Sequence, residues 1–265
     1  MRSYDEYKQI LELWELGINK KAIARYTGIP RATVRDCINR YSTLEQLNQW
    51  SEENSKPLLL KILTREIEGD HQDILKAYSY MLGLYLGDGN IVKMRRIYRL
   101  RITLDARYPN IIHSCMQAGS TLLPDNKVGI VENFHAGHLS CVDVSIYHKE
   151  LPLFFPQHGA GLKQNRKIEL EEWQQRIVDT YPLEFFRGLY HSDGSRFSNI
   201  VNGKDYPRYQ FTNYSDDIRK LYCDTCDRLG FHWKTKQRRG LYETDVFISK
   251  RKDVAYLDSM IGAKS

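Results

Sequence analysis

The sequence lacks the features of secreted, fibrous and membrane proteins. Its 265 residues include only 8 prolines and 17 glycines, too few for a collagen-like or low-complexity chain. The 5 cysteines are odd in number and scattered, which argues against a disulfide framework. No apolar run approaches the ~18 residues of a membrane helix, and residues 1–10 are too polar for a signal peptide. These absences favour an intracellular globular protein, cytoplasmic and nucleoid-associated in a bacterial host, with an organelle as the other option.

Acidic residues are absent from two stretches that are rich in basic ones. The chain has 39 Lys and Arg against 33 Asp and Glu, a net charge of +6. Neither 89–104 nor 228–242 contains an acid. Such tracts indicate a polyanionic partner, with a solvated charged face as the alternative. Their basic residues are Lys93, Arg95, Arg96, Arg99 and Arg101 in the first, and Arg228, Lys234, Lys236, Arg238 and Arg239 in the second.

Residues 1–42 have the pattern of three short helices around a small apolar core. Apolar spacing predicts helices over 4–16 and 20–26, and Gly28-Ile29-Pro30 predicts a turn into a third helix that ends near Tyr41. The stretch IARYTGIPRATVRDCINR resembles the helix-turn-helix of transposases, resolvases and bacterial regulators. Arg31, Thr33 and Arg35 would then face a DNA groove. A trihelical protein-protein module is the alternative.

The remainder divides into a polar linker and an internal repeat. Residues 43–76 change to Glu, Gln, Asn, Ser and Lys, which predicts a hinge containing one helix near 58–67. GLYLGDG at 83–89 then recurs as GLYHSDG at 188–194, and similar elements follow each copy. We therefore predict an α+β protein with two pseudo-symmetric αββαββα repeats, over 77–162 and 163–265, behind the small all-α domain.

Alternation along the predicted strands gives each sheet one apolar and one basic face. Leu100 and Ile102 would point to the core, and Arg99 and Arg101 away from it. Two such sheets related by a pseudo-twofold axis would form a long cationic surface for duplex DNA. The expected base-reading residues are Arg99, Arg101, Arg208, Gln210, Lys234 and Lys236.

YMLGLYLGDG (80–89) and FFRGLYHSDGS (185–195) resemble the two signature helices of single-chain LAGLIDADG homing endonucleases. The resemblance implies that the two helices pack side by side between saddle-shaped sheets. It also implies that Asp88 and Asp193 bind Mg²⁺ or Mn²⁺ and cleave DNA, with Gly87 and Ser192 counted in the metal site. In this sequence Leu86 and His191 replace the earlier acid of the motif.

The residues themselves favour the same chemistry. Small residues four apart, Gly83 with Gly87 and Gly188 with Ser192, allow two helix backbones to approach closely. Asp-Gly would end each helix with a left-handed glycine, placing two carboxylates at helix C-termini where negative charge is disfavoured. A hard divalent cation relieves that repulsion and supports phosphodiester hydrolysis.

The resemblance also implies assisting residues. A basic residue after the last strand of each repeat corresponds by position to Lys250 and to Lys149 or His148, and a polar water-ordering residue to Asn213, whose first-repeat counterpart is Leu104. The expected function is a monomeric, metal-dependent endonuclease acting on an asymmetric duplex site of about two helical turns. The alternatives are a regulator without nuclease activity, as in actinobacterial sporulation regulators with a LAGLIDADG-like domain, and an RNA-processing maturase.

Overall fold

A computed structural model describes residues 4–55, 57–66, 69–237, 243–262 and 264–265. The chain divides into two compact units, Met1–Leu58 and Leu59–Ser265. Each unit has a hydrophobic core of its own. Among the described residues, no helix combines the length and apolar character needed to cross a membrane.

The first unit is a bundle of helices around a core that includes Ile10, Ile23 and Val34. Asn19 caps the second helix by accepting a hydrogen bond from the Ala22 backbone N–H at 3.1 Å. The three helices predicted from the sequence are present. Their bounds are α1 (Tyr4–Glu15), α2 (Lys20–Thr27) and α3 (Arg31–Tyr41).

The segment 43–76, predicted as a linker with one helix near 58–67, contains that helix and is also mostly helical elsewhere. Helix α4 (Leu44–Ser55) belongs to the first unit, where Leu47 is fully buried and Trp50 packs against Tyr41 with ring centroids 5.4 Å apart. Helix α5 (Leu58–Leu63) contributes Leu59 and Leu63 to the core of the second unit. The polar composition of this segment concealed a few apolar residues at helical spacing, which are enough to dock a short amphipathic helix.

The second unit contains two repeats with the same order of elements, as the sequence predicted. An additional helix precedes the second signature helix, and a small hairpin interrupts the second repeat. The first repeat comprises α6 (Gln72–Asp88), β1 (Gly89–Lys93), β2 (Tyr98–Asp105), α7 (Pro109–Leu122), β3 (Gly129–His135), β4 (His138–His148) and α8 (Leu151–Phe154). The second comprises α9 (Glu172–Thr180), α10 (Pro182–Asp193), β5 (Gly194–Phe197), β6 (Ile200–Val201), β7 (Lys204–Asp205), β8 (Arg208–Thr212), α11 (Asp216–Arg228), β9 (Trp233–Gln237), β10 (Glu243–Ile248) and α12 (Arg251–Met260).

The two four-stranded antiparallel sheets have the same topology. Their strand orders are β1-β2-β4-β3 and β5-β8-β10-β9. The registers also correspond, since Gly89 pairs with Ile102 in the first sheet and Gly194 with Phe211 in the second. Positions of one repeat can therefore be matched to positions of the other through the strand pairing.

Helices α6 and α10 pack against each other along their glycine faces. A Cβ atom added to Gly83 would lie 2.6 Å from the carbonyl oxygen of Phe185 and 2.7 Å from the amide nitrogen of Leu189. A Cβ on Gly188 would lie 2.9 Å from the Cα of Gly83 and would overlap the carbonyl oxygen of Tyr80. Because these are backbone atoms, side chains at these positions would force the helices apart.

The glycines that end the two signature helices do not adopt the predicted left-handed conformation. Gly89 has φ −86° and ψ 149°, and Gly194 has φ −89° and ψ 161°, so both are already extended. Glycine is needed here for a steric reason instead. A Cβ on Gly89 would lie 2.7 Å from the carbonyl oxygen of Tyr85, and one on Gly194 would lie 2.5 Å from that of Tyr190. Each helix therefore continues directly into a strand of its own sheet.

Candidate functional site

Two carboxylates meet where the paired signature helices end. Asp88 is the last residue of α6 and Asp193 the last residue of α10. Gly87, the residue before Asp88, shows how close the two helix ends are. A Cβ added to Gly87 would lie 2.8 Å from Asp193 Oδ2 and would overlap the Ser192 hydroxyl. The close approach of the helices at their glycines thus brings the two acids together.

The surroundings of both carboxylates disfavour their charged forms. Burial, reinforced by the neighbouring Asp193 carboxylate, raises the pKa of Asp88 to about 7. Burial also raises the pKa of Asp193, although a hydrogen bond from Asn213 opposes the effect. Both acids also lie at helix C-termini, where the backbone dipoles add to the cost of negative charge. The pair therefore needs nearby positive charge.

Two lysines supply part of that positive charge from corresponding positions. The Lys163 ammonium donates to the carbonyl oxygens of Tyr85 and Gly87, the latter at 2.9 Å. The Lys264 ammonium donates to the carbonyl oxygen of Ser192 at 2.9 Å. Since Gly87 and Ser192 are matched positions of the two motifs, the lysines form a pseudo-symmetric pair.

Burial lowers the pKa of both lysines. The pKa of Lys163 falls to about 8, although Asp193 and Asp88 oppose the shift. The pKa of Lys264 is also lowered by burial, and the same two carboxylates again oppose it. Ammonium groups in this condition can donate hydrogen bonds, and they lose a proton more readily than exposed lysines.

Lys163 and Lys264 were not predicted from the sequence. Lys163 follows the first repeat in a short 3₁₀ turn (Lys163–Asn165), and Lys264 lies beyond the last helix α12. The only sequence signal is that each lysine follows the final helix of its repeat. Such a signal cannot be recognised before the repeats and their ends are defined.

The lysines predicted to assist, Lys149 and Lys250, lie at the other ends of the strands. In the second sheet Thr212 pairs with Asp245, beside Asp193, whereas Tyr209 pairs with Ile248 just before Lys250. At ~3.3 Å per residue, Lys250 is thus roughly 15 Å along the sheet from the carboxylates. Its ammonium lies 3.0 Å from His232 Nε2 instead.

Lys149 has the corresponding position in the first repeat. It follows His148, which pairs with Tyr98, the first residue of β2, whereas Gly89 beside Asp88 pairs with Ile102, four residues further along β2. Lys149 is exposed. The prediction placed the assisting lysine after the last strand, but an antiparallel last strand leads away from the carboxylates.

Asn213, the polar residue predicted from the sequence, lies beside Asp193. It directly follows β8. Its amide nitrogen donates to Asp193 Oδ2 at 2.7 Å. The matched residue of the first repeat, Leu104, is 2% exposed and offers no hydrogen bond. The two halves of the site are therefore chemically unequal at this position.

The carboxylates open onto two cavities. The larger cavity, of about 820 Å³, is lined by Asp88, Asp193, Lys163 and Asn213, together with part of β1. The smaller cavity, of about 340 Å³, is lined by Asp88, Lys264, His191, Ser192 and Asp105. Each cavity therefore combines at least one carboxylate with one of the two lysines.

The predicted DNA-contacting residues lie on the polar faces of the sheets and on helix α3. The side chains of Arg101 and Arg99 are 41% and 23% exposed, whereas Leu100 and Ile102 between and beside them are buried. Arg208 and Gln210 are half-buried, and Lys234 and Lys236 are exposed. On α3 of the first unit, Arg31 and Arg35 are exposed and Thr33 is half-buried. Arg238 and Arg239 lie outside the described residues.

The donor atoms at the paired acids suit a hard divalent cation. They are the carboxylate oxygens of Asp88 and Asp193 and the carbonyl oxygens of Gly87 and Ser192, and oxygen donors are what Mg²⁺ prefers. Burial of two adjacent carboxylates is also the electrostatic situation that such a cation relieves. Within the described ranges, no cluster of three or more His, Cys, Asp and Glu side chains forms a closed metal cage. Water and substrate oxygens would have to complete the coordination.

The chain is similar to several solved structures. No protein-family profile matches it, and no curated protein matches its sequence. A variant of I-DmoI in complex with its target DNA in the presence of 2 mM Mg shares 16% identity at a TM-score of 0.50, covering 72% of this chain and 98% of that chain. I-DmoI in complex with DNA and Mn shares 17% identity at a TM-score of 0.49, covering 72% and 99%.

A third similar structure is full-length DUF199/WhiA from Thermatoga maritima. It shares 12% identity at a TM-score of 0.47, and the match covers 77% of this chain and 60% of that one. At these identities the likeness concerns the fold. The second unit, with its two antiparallel sheets beside two packed helices, shares the fold of the I-DmoI variant.

Proposed function

We propose that the chain is a divalent-metal-dependent endonuclease that cleaves both strands of a specific duplex DNA site. The observation that carries this proposal is the pairing of Asp88 and Asp193 at the ends of two packed helices, with two half-buried lysines beside them. The similarity to I-DmoI, a homing endonuclease whose structures contain DNA with Mn or Mg, supports it.

The roles of the residues follow from their positions. Asp88 and Asp193, with the carbonyl oxygens of Gly87 and Ser192, would hold Mg²⁺ or Mn²⁺. The metal would supply an activated water and stabilise the leaving 3′ oxygen of the scissile phosphodiester. Asn213 holds Asp193 in place through its amide hydrogen bond.

Lys163 and Lys264 would act on the phosphate and on protons. Their ammonium groups would turn from the backbone carbonyls to the anionic oxygens of the incoming phosphate, where charge develops in the transition state. The lowered pKa of Lys163, about 8, also suits the exchange of a proton with water near neutral pH. Each lysine would act on a phosphate bound in the cavity that the lysine lines.

The partner would be duplex DNA with an asymmetric sequence. The two repeats differ at matched positions such as Arg101 and Gln210, so they would read different half-sites. Both half-motifs are in one chain, so one chain should bind one site, of which the second unit covers about two helical turns, ~20 base pairs. Light scattering of the DNA complex measures this stoichiometry.

The proposal is tested by incubating the purified chain with duplex DNA that flanks its own gene, in Mg²⁺ and in EDTA. We expect one double-strand break per target in Mg²⁺ and none in EDTA. Sequence-specific binding without strand breaks in Mg²⁺ or Mn²⁺, with two chains on a palindrome, would instead assign a regulator without nuclease activity.

The lysine assignment gives a matched set of variants. Lys163→Met and Lys264→Met keep most of the side-chain volume and remove the charge, and we expect each to slow cleavage by about 100-fold or more. Lys149→Met and Lys250→Met remove the same charge away from the carboxylates and should stay within about threefold of wild type. Single-turnover rates at saturating protein measure the difference. Equal losses in all four variants would contradict the assignment.

Removal of the first unit tests its contribution to DNA binding. Because the second unit has its own core, a chain that starts at Leu59 should fold and retain metal-dependent cleavage. Its affinity should fall by about tenfold or more, because the basic surface of α3 is lost. Footprinting should show a protected region shortened to ~20 base pairs. An unchanged footprint would mean that the first unit binds something other than this DNA.

A further inference from the structure

An acid lies on the polar face of the first sheet, among the residues proposed to contact DNA. Asp143 on β4 pairs with Thr103 on β2, so its side chain shares a face with those of Arg99 and Arg101. It is only 8% exposed. A carboxylate beneath bound phosphates weakens DNA binding, because like charges repel. Asp143 therefore does not raise the affinity for DNA, and its role on this face must be a different one.

The contacts of Asp143 are made with the neighbouring strand β2. Thr103 donates its hydroxyl to Asp143 Oδ1 at 2.6 Å. The guanidinium nitrogens of Arg99 and Arg101 lie 3.9 and 3.8 Å from Asp143 Oδ2. One buried carboxylate is thus fixed by a hydroxyl on one oxygen and faces two arginines with the other.

Arg99 has a second anchor on the same face. Its Nε and Nη2 donate to the hydroxyl of Ser145 at 3.0 and 2.8 Å, and Ser145 is 2% exposed. The Arg99 guanidinium also lies 6.0 Å from the ring centroid of Tyr147. An arginine held at this many points has already lost the rotamer freedom that binding would otherwise remove.

We propose that Asp143 is a positioning residue that determines sequence specificity by holding Arg99 and Arg101 toward base edges. The proposal rests on the DNA-binding part of the proposed function and is independent of cleavage. Arginines that are not held can extend to phosphates, contacts that add affinity without carrying sequence information. Asp143 thus lowers the total affinity for DNA and increases the discrimination between base sequences.

The second repeat contains the matching acid. Asp245 on β10 pairs with Thr212 on β8 and accepts its hydroxyl at 2.8 Å, and it is 4% exposed. Gln210, which matches Arg101, donates its amide to the Thr212 hydroxyl at 2.9 Å. A Thr-Asp pair therefore lies at the same place under the polar face of both sheets. A recurrence at matched register positions supports a shared positioning role.

The test compares the base preferences of variants in EDTA, where no cleavage interferes. Wild type, Asp143→Asn, Arg99→Met and Arg101→Met each select from a duplex pool with a randomised 30-base-pair core. We expect Asp143→Asn to relax the same base pairs that the two arginine variants relax, with discrimination lowered about tenfold. Its total affinity for the pool should stay equal or rise, with a steeper salt dependence.

The matched control is Asp125→Asn, which removes the same charge from an exposed position after α7. It should leave the base preferences unchanged. If Asp143→Asn retains the wild-type preference at the base pairs read by Arg99 and Arg101, the proposal is wrong.

A further variant covers the case in which Asp143→Asn does not fold. Thr103→Val removes the hydroxyl that fixes Asp143 and leaves every charge in place. It should relax the preference at the same base pairs to a smaller extent, and an unchanged preference would overturn the proposal.

Relaxed base preferences in these variants, together with no cleavage by wild type in Mg²⁺, would support the role of Asp143 and contradict the proposed nuclease activity. A wild-type chain that selects no sequence would overturn both.

Discussion

Replacement of Asp88 or Asp193 by asparagine is expected to abolish DNA cleavage, with a loss of about 1,000-fold or more in the single-turnover rate. Each substitution removes an anionic metal ligand, and the proposed chemistry depends on both acids together. DNA affinity should remain equal or increase, because a negative charge near the phosphates is removed. Cleavage rates in Mg²⁺ and binding in EDTA separate the two effects. Wild-type cleavage rates in both variants would show that neither carboxylate takes part in cleavage.

The same substitutions should stabilise the metal-free protein at pH 8. The pKa of Asp88 is raised to about 7 in the folded state, above its ordinary value of 3.8. The folded state therefore binds the proton more tightly than the unfolded state, and the free energy of unfolding falls as the pH rises from 3.8 through 7. Asp88→Asn removes this cost, so its Tm should exceed that of wild type by a few degrees at pH 8. The difference should shrink near pH 4.

The second large effect is expected at the helix pair, where Gly188→Ala should destabilise the second unit severely. The added methyl group would overlap the carbonyl oxygen of Tyr80 and lie 2.9 Å from the Cα of Gly83. These atoms belong to the backbone of α6 and cannot move aside, so α6 and α10 must separate along their contact. We expect a loss of about 3 kcal/mol or more in the free energy of unfolding, a fall in Tm of about 6–12 °C.

Gly129→Ala is the matched control for this substitution. A Cβ at Gly129 would meet only the carbonyl oxygen of Ser145, at 3.9 Å, which is ordinary van der Waals contact. Its Tm should stay within about 2 °C of wild type. Urea or thermal unfolding followed by circular dichroism measures both variants. Similar stability of Gly188→Ala and Gly129→Ala would contradict the close helix packing.

Separation of the helices should also affect the site. Asp88 and Asp193 are held together only because the helices that end at them approach closely, as the Cβ distance of 2.8 Å from Gly87 to Asp193 Oδ2 indicates. A Gly188→Ala chain that remains folded at low temperature should therefore bind metal less tightly and cleave more slowly than wild type. A stability effect alone, with normal cleavage below the Tm, would mean that the acids tolerate a change in helix separation.

Local features of the sequence determined the repeats and the pair of acids. The seven-residue motif occurs twice, and the strands behind each copy alternate between apolar and polar residues. Alternation depends only on the two-residue period of a strand, so the buried Leu100 and Ile102 and the outward Arg99 and Arg101 could be predicted without tertiary information. The small residues of the motifs likewise indicated a close helix pair.

Where a prediction depended on a conformation or on a distant partner, the sequence was insufficient. Gly89 was predicted to be left-handed, but it is extended and is required because Tyr85 leaves no room for a Cβ. The segment around α4 was predicted to be a linker, since its composition is polar, yet Leu47 is fully buried in the first unit. In both cases the deciding contact comes from a neighbouring side chain or element.

The sequence by itself therefore determined the number of repeats, the order of their elements and the two carboxylates, because each is encoded in a short contiguous pattern. Only the tertiary structure decided which lysines accompany the acids. Lys163 and Lys264 lie 75 and 71 residues from Asp88 and Asp193 along the chain, in segments without regular periodicity, and reach the acids through the packing of whole repeats. Lys149 and Lys250 satisfied the sequence pattern, but antiparallel pairing carries them to the opposite ends of the sheets.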